Sequence, residues 1–92
     1  MLNIAEELRG FIDESGKLKV WPSKPENKRL AAEYIASKFE EERVYTEKEV
    51  SEIIRQNHTF NDHPMLRREL IERRLLARTS NGAKYWKIKI EK

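Results

Sequence analysis

The chain has 92 residues, with 19 Lys or Arg, 16 Asp or Glu and no cysteine, which is enough for one hydrophobic core and too short for two. The missing cysteines exclude disulfide frameworks, thiolate zinc sites and thiol catalysis, and they fit a reducing, cytoplasmic setting. No apolar run approaches the ~20 residues that span a bilayer, so no membrane partner is expected. Carboxylates interrupt the opening Met1-Leu2-Asn3-Ile4-Ala5-Glu6-Glu7-Leu8, which is therefore not expected to be a signal peptide.

The net charge of +3 is unevenly spread. Residues 1–61 carry 10 basic against 12 acidic side chains, and residues 62–92 carry 9 against 4. A basic end suits a polyanionic partner. An uneven solvated surface accounts for the same numbers, so the placement of the charges has to decide.

In chain order, Ile4, Leu8, Phe11 and Ile12 recur at helical spacing, which predicts an amphipathic helix over residues 2–12. Asp13-Glu14-Ser15-Gly16 reads as a turn. Lys17-Leu18-Lys19-Val20-Trp21 alternates polar and apolar like a short half-buried strand, and Pro22 ends it. A second helix is expected over residues 26–41, with Pro25 near its first turn and Leu30, Ala31, Tyr34, Ile35 and Phe39 as its apolar stripe. Glu40-Glu41-Glu42 opposes the macrodipole at its end, which predicts fraying. Val44-Tyr45 is a brief extended piece.

Thr46 and Glu49 stand three apart and form a capping box for a third helix. Tyr45 and Val50 occupy the staple positions, and Val50, Ile53 and Ile54 face the core. Asn61-Asp62 caps a fourth helix running to about Arg74, with Pro64 in its first turn and Leu66 and Leu70 inward. Residues 75–79 lead into a strand, and Asn81-Gly82 is a strong hairpin signal. The return strand runs from Lys84 to Ile90. Its alternation puts Trp86, Ile88 and Ile90 on one face and Tyr85, Lys87 and Lys89 on the other.

This order predicts an α+β fold of winged-helix type, a helix-turn-helix followed by a β-hairpin wing. It would form a single domain over residues 1–92, with residues 1–24 as an N-terminal extension (helix and short strand) and residues 25–92 as the winged-helix core.

Leu70-Ile71-Glu72-Arg73-Arg74-Leu75-Leu76-Ala77-Arg78 resembles the stretch that many winged-helix regulators carry from the end of the recognition helix into the wing. A longer set is more specific: Asp13 and Gly16-Lys17-Leu18 before Trp21-Pro22, Tyr45-Thr46-Glu47 with Glu49-Val50, Leu66-Arg67-Arg68-Glu69-Leu70, and Tyr85-Trp86. Over about residues 10–88 these resemble a bacterial domain family of unknown function, found alone or joined behind helix-turn-helix domains of transcriptional regulators. The resemblance implies a link to transcription and carries no assigned activity. It departs at Arg74, where such patterns place glycine at the helix C′ site that often needs a left-handed backbone. Either Arg74 is strained at a cost of about 1 kcal/mol, or the helix ends differently.

The candidate chemistry is basic. With Leu66 and Leu70 inward, Arg67 and Arg68 project from the fourth helix and His63 sits in its first turn. Arginine forks suit guanine edges or phosphates. Lys84 and Lys87, with Asn81 at the hairpin tip, could reach an adjacent phosphate. The competing reading is that Arg68–Glu72 and Glu69–Arg73 are i, i+4 pairs supporting an exposed helix. His58, Asp62 and His63 match no established metal spacing, so no metal or cofactor is expected. No serine elbow, phosphate cradle or triad appears, which argues against an enzyme. The aromatics read as packing, with Tyr85 and Trp21 kept open as stacking platforms.

Double-stranded DNA is the first expected partner, with His63, Arg67, Arg68, Asn81, Lys84 and Lys87 as contacts. The rival is a protein-interaction or sensory module anchored by Met65, Ile71 and Trp21. Homodimerisation through the N-terminal helix is compatible with either.

Overall fold

The computed structural model describes residues 7–89. Among the described residues from Pro25 onward, three α-helices and a three-stranded antiparallel sheet follow one another as α1 (Pro25–Ala36), β1 (Val44–Tyr45), α2 (Glu47–Arg55), α3 (His63–Glu72), β2 (Leu76–Arg78) and β3 (Tyr85–Lys87). The fold is α+β, as expected. The expected second, third and fourth helices are α1, α2 and α3.

Of the N-terminal helix expected over residues 2–12, residues 2–6 lie outside the described residues. Arg9–Phe11 is a single 3-10 turn. Leu8 is fully buried, and Phe11 and Ile12 pack against the core from the edge. The expected strand over residues 17–21 reduces to one residue. Leu18 bridges Ile12 antiparallel and His58 parallel, and only Leu18 is buried there while Val20 is 44% exposed. The Asp13 carboxylate holds the preceding turn shut, accepting from the amides of Ser15 (3.0 Å) and Lys17 (2.9 Å). These donors, Lys17 first, keep its pKa below the usual carboxylate range.

Helix α1 starts at Pro25 and ends at Ala36, five residues short of the expected 26–41. The Ser37 hydroxyl caps back onto the Tyr34 carbonyl at 2.5 Å. The chain then unwinds through the three glutamates so that Phe39 meets the Tyr45 ring edge-on at 5.2 Å. One buried aromatic contact outweighs another helical turn whose carboxylates would face the negative dipole end.

Helix α2 opens with the expected capping box. Thr46 Oγ1 accepts from the Glu49 amide at 3.1 Å, and Glu49 Oε1 accepts from the Thr46 amide at 2.8 Å. Tyr45, Val50 and Ile54 are buried beneath it. Helix α3 is capped by Asp62, which accepts from the Met65 amide at 3.2 Å, and it buries Leu66 and Leu70. Its end is a Schellman motif, with Arg74 N–H on the Ile71 carbonyl and Leu75 N–H on the Leu70 carbonyl. Arg74 has φ 61°, so it sits in the left-handed region that its position predicted.

The strand order is β1-β3-β2, with Tyr45 opposite Tyr85 and Arg78 opposite Tyr85 on its other side. The alternation expected along β3 is present but its phase is inverted. Tyr85 is buried at 3% exposure and Trp86 is 38% exposed. Cross-strand partners share a face, so Tyr45, already committed to the core below α2, draws Tyr85 inward. Tyr85 is therefore core, and the stacking role left open for it does not apply.

The hairpin forms, but Asn81-Gly82 is not a two-residue turn. Thr79 N–H bonds the Lys84 carbonyl and Gly82 N–H bonds the Thr79 carbonyl, enclosing residues 80–83, with Gly82 at φ 72°. Among the described residues no helix is long and apolar enough to cross a membrane.

Candidate nucleic-acid interface

The outer face of α3, the start of α2 and the inner end of the β2–β3 hairpin enclose an open groove of about 750 Å³. Arg68 stands exposed on α3, at the centre of the face opposite Leu66 and Leu70. Its expected partner Glu72 makes no ion pair with it, whereas Arg73 and Glu69 do pair, at 2.8 Å. Among the described residues no carboxylate lies within ion-pair distance of Arg68.

Across the groove is Arg78, which the sequence reading did not single out as a contact. The signal was available: strand side chains alternate, so a buried Leu76 puts Arg78 on the same face, at the end where the core runs out. Opposite Tyr85, it extends over the hairpin loop toward Gly82, where a Cβ would sit 3.4 Å from its Nη1. Among the described residues Arg78 has no ion-pair partner either.

The other expected contacts are dispersed. Arg67 is committed to α2, its guanidinium donating to Ser51 Oγ at 3.1 Å and pairing with Glu47 at 3.2 Å; its side chain is only 25% exposed. It ties the two helices together while lining the groove. Asn81 is on the rim, but its carbonyl oxygen accepts from the Thr79 hydroxyl (2.7 Å) and the Ala83 amide (3.1 Å), so it holds the loop. Lys84 is exposed at the base of the loop, outside the groove lining. Lys87 faces α1, its ammonium 3.4 Å from the Phe39 carbonyl.

His63 is half-buried on the α2 side of the helix start. Its pKa is lowered, first by burial and then by the charges of Arg55 and Arg67, which favours the neutral ring. Among the described residues no three His, Asp or Glu side chains gather to hold a metal ion.

The groove is not purely cationic. Glu47, Asp62 and Glu72 also line it, with Met65 and Ile71 as half-buried apolar floor. Glu47 is answered by Arg67, while Asp62 and Glu72 line the groove from α3 itself, where charges in an open cleft are strongly screened. The fold and site together define a small α+β domain with a shallow arginine-bearing groove. By family, the chain belongs to the bacterial group described as "Uncharacterized protein conserved in bacteria (DUF2087)", whose pattern it matches over residues 17–87. No curated protein and no solved structure matches it.

Proposed function

We propose that this chain is a winged-helix module that binds double-stranded DNA in transcriptional regulation, a binding domain rather than an enzyme. The order α–β–α–α–β–β with strands arranged β1-β3-β2 supports reading α2–turn–α3 as the helix-turn-helix and β2–β3 as the wing. The observation that carries the reading is that Arg68 on the outer face of α3 and Arg78 at the base of the wing flank one groove without ion-pair partners among the described residues. Arginine forks at these two positions each suit a backbone phosphate of the duplex. Exposed Lys84 supplies a third, purely electrostatic contact. Arg67 serves as the strut that holds α3 against α2, and Lys87 is outside the contact set.

Fluorescence-anisotropy titration of random-sequence duplex DNA at two salt concentrations tests this. Three phosphate contacts at ~0.9 each predict a log–log salt slope near ~−3. Arg68→Ala/Arg78→Ala should flatten that slope by about two-thirds, whereas Lys87→Ala should leave it unchanged. Absence of binding at low salt overturns the reading.

One observation favours a second partner class. Met65 and Ile71 floor the groove and Glu72 and Asp62 rim it, a surface suited to a protein segment with apolar and basic residues. Docking led by the apolar floor responds weakly to salt, so the same titration, repeated with a labelled partner, separates the two.

A further inference from the structure

We infer that His58 is the positioning residue for the start of α3, and that it holds that helix only while its Nε2 is unprotonated. The role of the ring follows from an amide that needs a partner. An N-cap residue has its own backbone N–H, and in a capping box the side chain at the third helical position accepts it. At α2 that acceptor is Glu49. At α3 the equivalent position is Met65, which offers no comparable acceptor. The Asp62 amide instead donates to His58 Nε2 at 2.9 Å.

This bond sets the tautomer. A backbone N–H only donates, so Nε2 must keep its lone pair and the ring proton must be on Nδ1, where it donates to the Ile54 carbonyl at 2.7 Å. The imidazole therefore clamps the last turn of α2 to the first turn of α3. It is 5% exposed and stands edge-on to Phe60 at 4.7 Å between ring centres. Its backbone is pinned by Leu18, which donates to the Asn57 carbonyl (2.9 Å) and accepts from the Thr59 amide (3.0 Å).

A proton added at Nε2 turns the acceptor into a donor facing a donor. The Asp62 amide then loses its partner, and the first turn of α3, with Met65 on the groove wall, is released. The charged groups near the ring do not compensate. The Asp62 carboxylate is already turned to the Met65 amide, and His63 on the same turn lies near Arg55 of α2 and Arg67 of α3. Lys17 and Lys19 flank Leu18 on the segment packed over it. Acidification should therefore loosen the α3 start. If α3 is the DNA reader proposed above, affinity should fall with it.

The test begins without DNA, on the 15N-labelled chain. A long-range imidazole spectrum at about pH 8 should show His58 as the Nδ1–H tautomer. Acidification that protonates the His58 ring should move the Asp62, His63 and Met65 amide signals together with it. His58→Gln, whose side-chain carbonyl can accept from Asp62 and does not titrate, should abolish that coordinated shift, and His63→Gln should retain it. A wild-type Nε2–H tautomer overturns the inference even if no variant folds. So does a shift that survives His58→Gln and vanishes in His63→Gln. DNA titrations on the same samples separate the two proposals: a His58-linked shift in a chain that binds no DNA at any pH upholds the clamp and sinks the DNA reading. DNA binding with no His58-linked shift does the reverse.

Discussion

At the start of α2 the amide of the capping residue bonds a carboxylate three residues ahead, whereas at the start of α3 it bonds an imidazole four residues behind. The two helices form adjacent walls of one groove, yet their first turns depend on different chemistry. The Thr46–Glu49 box is self-contained and exposed, and its parts are local in sequence. The His58 clamp is buried and ties α3 to the end of α2, and it works only because Leu18 from the N-terminal segment closes over it. A helix start that is satisfied locally can form before its surroundings, while one satisfied by a neighbouring element reports on whether that neighbour is in place.

Removing what the two helices share should have the largest effect. Leu70 is 1% exposed and anchors α3 to the core. Leu70→Ala should cost about 2–5 kcal/mol in urea denaturation, through lost burial and the cavity left behind. A loss well under 1 kcal/mol would mean that the clamp, and not the core, seats the helix.

Breaking the local cap comes next. Thr46→Ala removes the acceptor for the Glu49 amide and should cost about 1 kcal/mol. The other half of the box remains, because the Thr46 backbone amide still reaches Glu49. That amide is the main reason the Glu49 pKa lies below the ordinary carboxylate range, with the Thr46 side chain and Arg43 adding to it. With the folded pKa lowered, its stabilisation is present above the ordinary range and is lost as pH falls through the lowered value. In amide shifts along one pH series, the α2 start should change with the Glu49 carboxyl and the α3 start with the His58 ring. Simultaneous loss at both starts would remove the contrast.

The smallest effect concerns the far end of α3. Arg74 is exposed and left-handed at φ 61°. Arg74→Gly should relieve strain and stabilise by up to about 1 kcal/mol, raising Tm by about 4–8 °C. An unchanged or lowered Tm would mean that the arginine side chain offsets its own backbone cost. The groove should be unaffected in either case, since Arg74 does not line it.

Much of the local structure was legible in the residues themselves. The Thr46–Glu49 box, the Asp62 cap, the inward Leu66 and Leu70, and the left-handed Arg74 each depend on groups within a few positions of one another, so spacing alone carries them. The phase of β3 was not legible in this way. Alternation names two faces, and only the pairing of Tyr85 with Tyr45, 40 positions earlier, decides which one is core. The early end of α1 was hidden for the same reason, since it depends on where Phe39 finds the Tyr45 ring.

The candidate site divides along the same line. The sequence determined that the basic side chains concentrate after residue 61 and that Arg68 faces outward on a helix. Tertiary structure alone decided that Arg67 turns to Glu47, that Lys87 faces α1, and that Arg78 joins Arg68 across the groove. It also turned His58, in sequence an ordinary loop residue, into the clamp between α2 and α3. The physical reason is range. Caps and stripes are satisfied within one or two turns of chain, whereas the bond from Arg67 to Ser51 and the cover of Leu18 over His58 depend on partners that folding brings together from 16 and 40 positions away.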